Sequence, residues 1–461
     1  MDPIRSRIGD CGVAAFVLGI SFGSVFAATI HVPSEQPSLF DALRKARSGD
    51  EIVLADGTYQ GGGNGRLVVP AIDLDIRSAH GPESVTIRGD DPPAADWFAF
   101  HIDGAESHEI RIHGITVQGF DVESGAIVVC GLSRLVLEDC HLVGNRAGLT
   151  GVGGAVTACG ASQLVLERCV LSGNRATQGG AIATRDGATL AISDCELWGN
   201  VADFGGGLHL ASLASTVVER SILARNSGVQ GTGGAIHLGG GSLRIDQSVL
   251  VGNVAGARGG ALSMSTNALN ARVTSATIAH NVAGVTGGGL YVSRTDAELA
   301  NTIVQDNCLA TPGAGKDITV DLGTMSVECC ALDSAGIADL AELTPLGDQV
   351  WESARFCWED DCFTALGFGY RYTLAADSPC LPERSPCSAI IGARAEACDA
   401  RLGACCVDAA CVELPPTECD LRGGTFLGEG LACTAVRCPV SPTVEQSWGR
   451  IKALFTAPAA R

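Results

Sequence analysis

Two histidines, His209 and His237, each stand directly after a Gly-Gly-(Gly/Ala)-aliphatic string. Imidazole moves protons near neutral pH and ligates metals, so a pair held in equivalent places is a first candidate for chemistry. The matching places elsewhere hold Val128, Thr157, Ala183, Ser263 and Tyr291, none a carboxylate. A histidine pair without a carboxylate to orient it lacks the third group that nucleophilic or metal chemistry uses. We read this column as surface-binding, with His209, His237 and Tyr291 as contact residues, and assign no catalytic residue. A second candidate is an acidic column, Glu138, Glu167, Glu219 and Asp246, interrupted by Ser193. Stacked carboxylates attract calcium, and paired ones hydrolyse glycosides. Beside them Asp139, Arg168, Asp194 and Arg220 alternate in sign, so the expectation is a solvated, charge-balanced face. No cofactor and no metal is required, calcium being the one ion the column raises. His101, His108 and His113 lack metal-ligand spacing, and Glu359-Asp360-Asp361 reads as a loop between Cys357 and Cys362.

The element that must position these residues is a repeat. The glycine motif begins at Gly153, Gly179, Gly205, Gly233, Gly259 and Gly287. It follows Asn145, Asn174, Asn200, Asn226, Asn253 and Asn281, and Asn307 is a seventh asparagine without its glycines. A fixed period of this length means stacked copies of one unit. Gly-Gly inside each unit disfavours a helix by about 1 kcal/mol per glycine. The intervening runs, such as Leu164-Val165-Leu166 and Leu243-Arg244-Ile245, are short, alternating and β-branched, as strands are. The expected fold is all-β: a right-handed parallel β-helix with one coil per repeat.

Counting back from the asparagines gives facing. Eight residues before lie Leu137, Leu166, Ile192, Val218, Ile245, Val273 and Leu299; three before lie Leu142, Leu171, Leu197, Leu223, Leu250, Ile278 and Val304. Both columns are apolar and point inward. Five before, the small residues Cys140, Cys169, Cys195, Ser221, Ser248, Ala276 and Thr302 also point inward. The odd spacing requires a bend, and the polar column from Asp139 to Asn301 sits on it, outside. Coils about 4.8 Å apart bring the asparagines into a hydrogen-bonded ladder, which is their structural role.

At 461 residues the chain accommodates one long solenoid and a small module. Its net charge of −20 argues against nucleic acid and anionic membranes, and mildly against acidic polysaccharides unless cations bridge the two. Residues 1–27 read as a secretory signal: Arg5 and Arg7, an apolar run from Val13 to Phe26, then Val25-Phe26-Ala27 for cleavage. No other apolar run is long enough to span a membrane. Twenty cysteines suit an oxidising compartment. Cys130 and Cys159 share one column, and Cys140, Cys169 and Cys195 another, at a spacing compatible with rung-to-rung disulfides; bridge and plain thiol both remain open. Residues 28–400 are assigned to the solenoid. Residues 401–439 are a small module in which Cys405, Cys406, Cys411, Cys419, Cys433 and Cys438 replace a hydrophobic core with disulfides, zinc being the alternative. Residues 440–461 form a tail with Trp448, Ile451, Leu454 and Phe455 near helical spacing.

Ile30-His31-Val32-Pro33, an amphipathic stretch Leu39 to Ala46, and Gly49-Asp50 through Gly57-Thr58-Tyr59 resemble the start of pectin-lyase-like β-helices: a first strand, a capping helix, then coil one. The Gly-Gly-Ala-aliphatic and x-x-x-Asn repeats over residues 120–310 resemble those of the polymorphic outer membrane proteins, an adhesin-like family of bacterial surface proteins. That family favours Phe three before the Asn, where this chain has Leu, Ile or Val, and no run of strands for a membrane barrel follows. Tyr372-Thr373-Leu374, Asp377-Ser378-Pro379-Cys380 and Ile391-Gly392-Ala393 resemble the closing coils of secreted β-helix proteins. Arg450-Ile451-Lys452 matches a string of polygalacturonase-type enzymes but lies beyond the coils, and we give it no weight. These resemblances imply an exported, monomeric, cell-surface or extracellular protein, adhesin-like, structural or glycan-binding, with polysaccharide or cell-surface components as partners. The alternative they imply is a lyase or epimerase on acidic sugars.

Overall fold

The computed structural model describes residues 27–393 except 62, 90–97, 149, 212–214, 266–267, 312, 314, 340–342, 357–373 and 376, together with 403–407, 410–414, 425–429 and 433. The signal segment before Ala27, the tail, Cys419 and Cys438 lie outside the described residues.

The chain winds into a parallel β-solenoid. A representative coil runs Ile182–Thr184, Thr189–Ser193, Glu196–Trp198 and Val201–Ala202, each strand pairing in parallel with its counterpart on the next coil. In the repeat coils the first two strands belong to one long sheet, the third to a second sheet and the fourth to short sheets of two and five strands. The predicted inward columns form one continuous core, including Leu166, Ile192, Val218, Leu171, Leu197 and Leu223.

The bend between the first and second sheets is made by the polar column. Asp139, Arg168, Asp194, Arg220, Gln247, Ser275 and Asn301 all adopt left-handed φ between 47° and 55°. L-residues pay for that conformation, and one such residue per coil turns the strand direction so that the residue after it faces inward. That next residue does more than fill space. The Ser221 hydroxyl donates to the Glu219 carbonyl at 2.7 Å and accepts the Cys195 N–H at 3.1 Å; Ser248 repeats this with the Asp246 carbonyl and the Ser221 N–H. The Cys169 and Cys195 thiols take the same place, each contacting the carbonyl two residues back at 3.3 and 3.2 Å.

The asparagine ladder is fully bonded. Asn174 receives on Oδ1 both the backbone N–H and the side-chain N–H of Asn145, at 3.0 and 3.1 Å, and donates its own amide to Asn200 at 3.0 Å and to the Leu142 carbonyl at 2.8 Å. The pattern continues through Asn226, Asn253, Asn281 and Asn307. Glycine is needed next to it for two reasons. Gly179 has φ +65°, and a Cβ on Gly180 would lie 2.2 Å from the Gly206 carbonyl oxygen.

At the N-terminal end, helix Leu39–Lys45 covers the core with Leu39, Ala42 and Leu43. Its first N–H groups are capped: the Ser38 hydroxyl accepts from Asp41 N at 3.2 Å and Asn64 Oδ1 from Leu39 N at 3.0 Å. At the other end the last paired strand of the long sheet among the described residues is Leu343–Leu346. Of the segment expected to form closing coils, Tyr372 and Thr373 lie outside the described residues, and the part from Leu374 onward differs from that expectation. Val350, Ala354, Phe356, Leu374, Cys380 and Ile391 lie against Val249, Val251, Ala279, Ile303 and Ala331 on the outside of the second sheet. These outward residues are apolar, unlike those of a solvated sheet face, and covering them buries that surface. A Cys329–Cys387 disulfide fastens the segment, and so does the Gln305 side chain, which donates to Glu352 O and accepts from Ala354 N, both at 2.8 Å.

Cys130 and Cys159 are bridged, with Cα atoms 4.6 Å apart, whereas Cys140, Cys169, Cys195, Cys330 and Cys380 are buried free thiols. In the C-terminal module Gly403–Val407, Ala410–Leu414 and Thr425–Glu429 make an antiparallel sheet. Cys411 is bonded to Cys433, and Cys405 and Cys406 are also in disulfides.

Candidate functional site: a polar groove on the long sheet

The strand register aligns Thr157, Ala183, His209, His237, Ser263 and Tyr291 in one outward column. The His209 and His237 rings stack at 5.1 Å and 20°. His237 Nδ1 bonds the Thr232 hydroxyl at 2.8 Å, while the residue in the equivalent place beside His209 is Phe204, and His209 Nδ1 is buried without a partner among the described residues. Burial holds both imidazoles well below their ordinary value, to about 3 for His209 and about 4 for His237, so both are neutral at pH 7.

Tyr291 differs from the expected surface residue. It is only 5 % exposed. Arg258 lies over its ring at 5.0 Å and donates to its hydroxyl at 3.2 Å, and that hydroxyl donates to Asp321 at 3.0 Å. The turn residues preceding each Gly-Gly form a wall over this column, and neither repeat counting nor alternation reveals that cover.

The acidic column is interleaved with arginine. Arg168 pairs with Glu138 and, at 2.8 Å, with Asp139. Arg220 reaches Asp194 at 2.8 Å and Glu219 at 3.3 Å. These partners hold Asp139 and Asp194 below the usual carboxylate range. The face is charge-balanced, as its alternation predicts. Among the described residues no group of three or more His, Cys, Asp or Glu side chains is arranged to hold a metal ion.

An open site lies on the second strand of each coil, on the outer face of the long sheet. There the register lines up Ser215, Ser242, Asn270, Asp296 and Thr324 in one row and Arg244, Arg272, Glu298, Ser326 and Thr344 in the next. Together they line a groove of about 700 Å³ running along the solenoid axis. The inward neighbours Thr216, Leu243, Ala271 and Ala297 are buried, which fixes the backbone under the groove. Arg244 is held between Glu219 at 2.6 Å and Asp246 at 3.2 Å, Arg272 meets Glu298 at 3.4 Å, and Thr324 donates to Asp296 at 2.6 Å. No motif in the sequence marks these residues. They are ordinary surface types in each coil, and their signal is the recurrence of small hydroxyl, amide and paired charged residues at one register position.

The architecture defines a parallel β-solenoid. A family model described as "Right handed beta helix region" matches residues 98–278. No curated protein matches the chain. Among solved structures, that of pectate lyase Pel9A is similar over 80 % of this chain and 96 % of its own, at 14 % identity and a TM-score of 0.43. A PL6 alginate lyase in complex with a trisaccharide is similar over 80 % and 95 %, at 11 % identity and a TM-score of 0.35. PL6 alginate lyase AlyGC is similar over 91 % and 59 %, at 12 % identity and a TM-score of 0.29. No helix among the described residues is long and apolar enough to cross a membrane.

Proposed function

We propose that this protein is exported and works at or outside the cell surface as a glycan-binding β-solenoid, its ligand lying along the groove between Ser215 and Thr344. The groove carries the reading: hydroxyl, amide and charged side chains repeat at about 4.8 Å steps on a rigid, apolar-backed sheet. A polymer with regularly repeated hydroxyl groups is the ligand such a row can meet several times over, and repetition converts weak single contacts into useful affinity. The Cys130–Cys159 and Cys329–Cys387 disulfides support an oxidising location, and the N-terminal segment supports export.

The test is retardation of the purified protein in gels cast with individual polysaccharides, repeated with Ser242→Trp, which fills the groove from an outward position. The expected result is retardation by at least one polymer, lost in Ser242→Trp while the circular dichroism is unchanged. Retardation that the variant leaves intact would place binding elsewhere. Release of unsaturated product, followed by absorbance, would replace the binding reading with a lyase.

A further inference from the structure

The glycan-binding reading leaves the ligand's charge open, and the pairing of charges in the groove bears on it. We infer that the groove takes an uncharged, hydroxyl-rich glycan in extended form and discriminates against a uronate polymer; this rests on the glycan-binding reading above.

The first reason is that both groove cations are engaged. Arg244 contacts two carboxylates, Glu219 and Asp246, and Arg272 contacts Glu298. A sugar carboxylate approaching either guanidinium has to displace a carboxylate already fixed there. It also enters a neighbourhood where Glu219, Asp246, Asp296 and Glu298 stand against Arg220, Arg244 and Arg272, on a chain of net charge −20. Like charges brought together in this way repel over several ångströms.

The second reason is what stays unengaged. Asn270, Ser326 and Thr344 line the groove and make no side-chain hydrogen bond within the described residues. An amide offers two donors and an acceptor, and a hydroxyl offers both roles. Sugar hydroxyls have the same dual character, so each finds a partner in either orientation. A carboxylate only accepts, so it leaves the acceptor side of these groups unused.

The third reason is the absence of aromatic rings among the lining residues. Without a stacking surface, affinity comes from many hydrogen bonds in register. From the Ser215 strand to the Thr344 strand there are five rung steps, about 24 Å, so affinity should rise with oligomer length and level off once the groove is filled.

The experiment uses the full chain and a matched pair of ligands: the neutral glycan that binds best in a panel of glucan, xylan, mannan and galactan oligomers, and the same oligomer with its primary hydroxyls (or, for xylan, glucuronate branches) carried as carboxylates. Calorimetry should show the neutral member at least tenfold tighter, with affinity changing less than about twofold between 50 and 500 mM salt, since no counterions are exchanged. Glu298→Gln, which releases Arg272, should raise the affinity of the acidic member relative to the neutral one several-fold. Acidic binding equal to or tighter than neutral, and lost in Ser242→Trp, would overturn the charge assignment while leaving the groove a glycan site. Binding of no member of the panel, neutral or acidic, would overturn the glycan reading itself.

Discussion

Asn307 gives both its backbone N–H and its side-chain N–H to a single oxygen of Asp317, at 2.9 and 2.8 Å. The asparagine ladder therefore ends on a carboxylate. Asp317 is fully buried, and its second oxygen has no hydrogen-bond partner among the described residues, the Lys316 ammonium standing 4.0 Å away. Lys316 is itself held at 2.8 Å by Asp333. Burial pushes the Asp317 carboxyl up to about 6 from an ordinary 3.8.

The sign of the consequence follows. A carboxyl raised on folding favours the protonated fold, so its stabilising contribution is complete below about 3.8 and is lost as pH rises through about 6. The loss is on the order of 2–3 kcal/mol. Asp317→Asn keeps the acceptor oxygen and removes the charge, so the difference in unfolding free energy between variant and wild type should grow in the variant's favour from pH 4 to pH 7. A pH-independent difference in urea titrations would contradict this.

His209 and His237 pull the other way. Their folded values, about 3 and about 4, lie below the ordinary 6.5, so their contribution is complete above 6.5 and is lost as pH falls toward those values. For His237 the effect is on the order of 2 kcal/mol after allowance for its partly open ring. His237→Gln should flatten the acid limb of the stability profile, measured as melting temperature from pH 7 to pH 4. An unchanged acid limb would mean the ring is solvated.

In the middle of the ladder, Asn200→Ala removes the acceptor for two donors of Asn174, its N–H at 3.0 Å and its side-chain N–H at 3.0 Å. Each buried donor left alone costs about 1–3 kcal/mol. Denaturant titration should show a loss of roughly 2–6 kcal/mol, larger than for the half-buried neighbour Val201→Ala.

The bend column gives a backbone test. Gln247 sits at φ 48°. Gln247→Gly should be neutral or stabilising by up to about 1 kcal/mol, because glycine adopts this conformation without steric penalty. Gln247→Val should destabilise by more than about 1 kcal/mol. Equal stability of the two variants in chemical denaturation would remove the strain argument.

The contrast between those columns explains what the sequence could reveal. Leu166, Asn174 and Gly179 were legible because inward and corner positions admit few residue types, so each repeats visibly. The polarity of Arg168 and Gln247 places them outside, but their left-handed backbone leaves no mark in the sequence, since neither is the usual residue for it. Asn270 and Thr344 were not foreseen as a site, because outward positions tolerate many types and only the register of neighbouring coils gathers them. The cover over Tyr291 and the return of Ile391 onto Ile303 are tertiary contacts that no local pattern encodes.

The groove claim is tested most directly by NMR titration of the full chain with the best-binding neutral oligosaccharide, following the Asn270 side-chain amide and the backbone amides of the groove strands. The account predicts saturable shifts confined to the rungs from Ser215 to Thr344, with the His209 and His237 resonances unmoved. Shifts centred on the histidine column instead, with Asn270 silent, would contradict it.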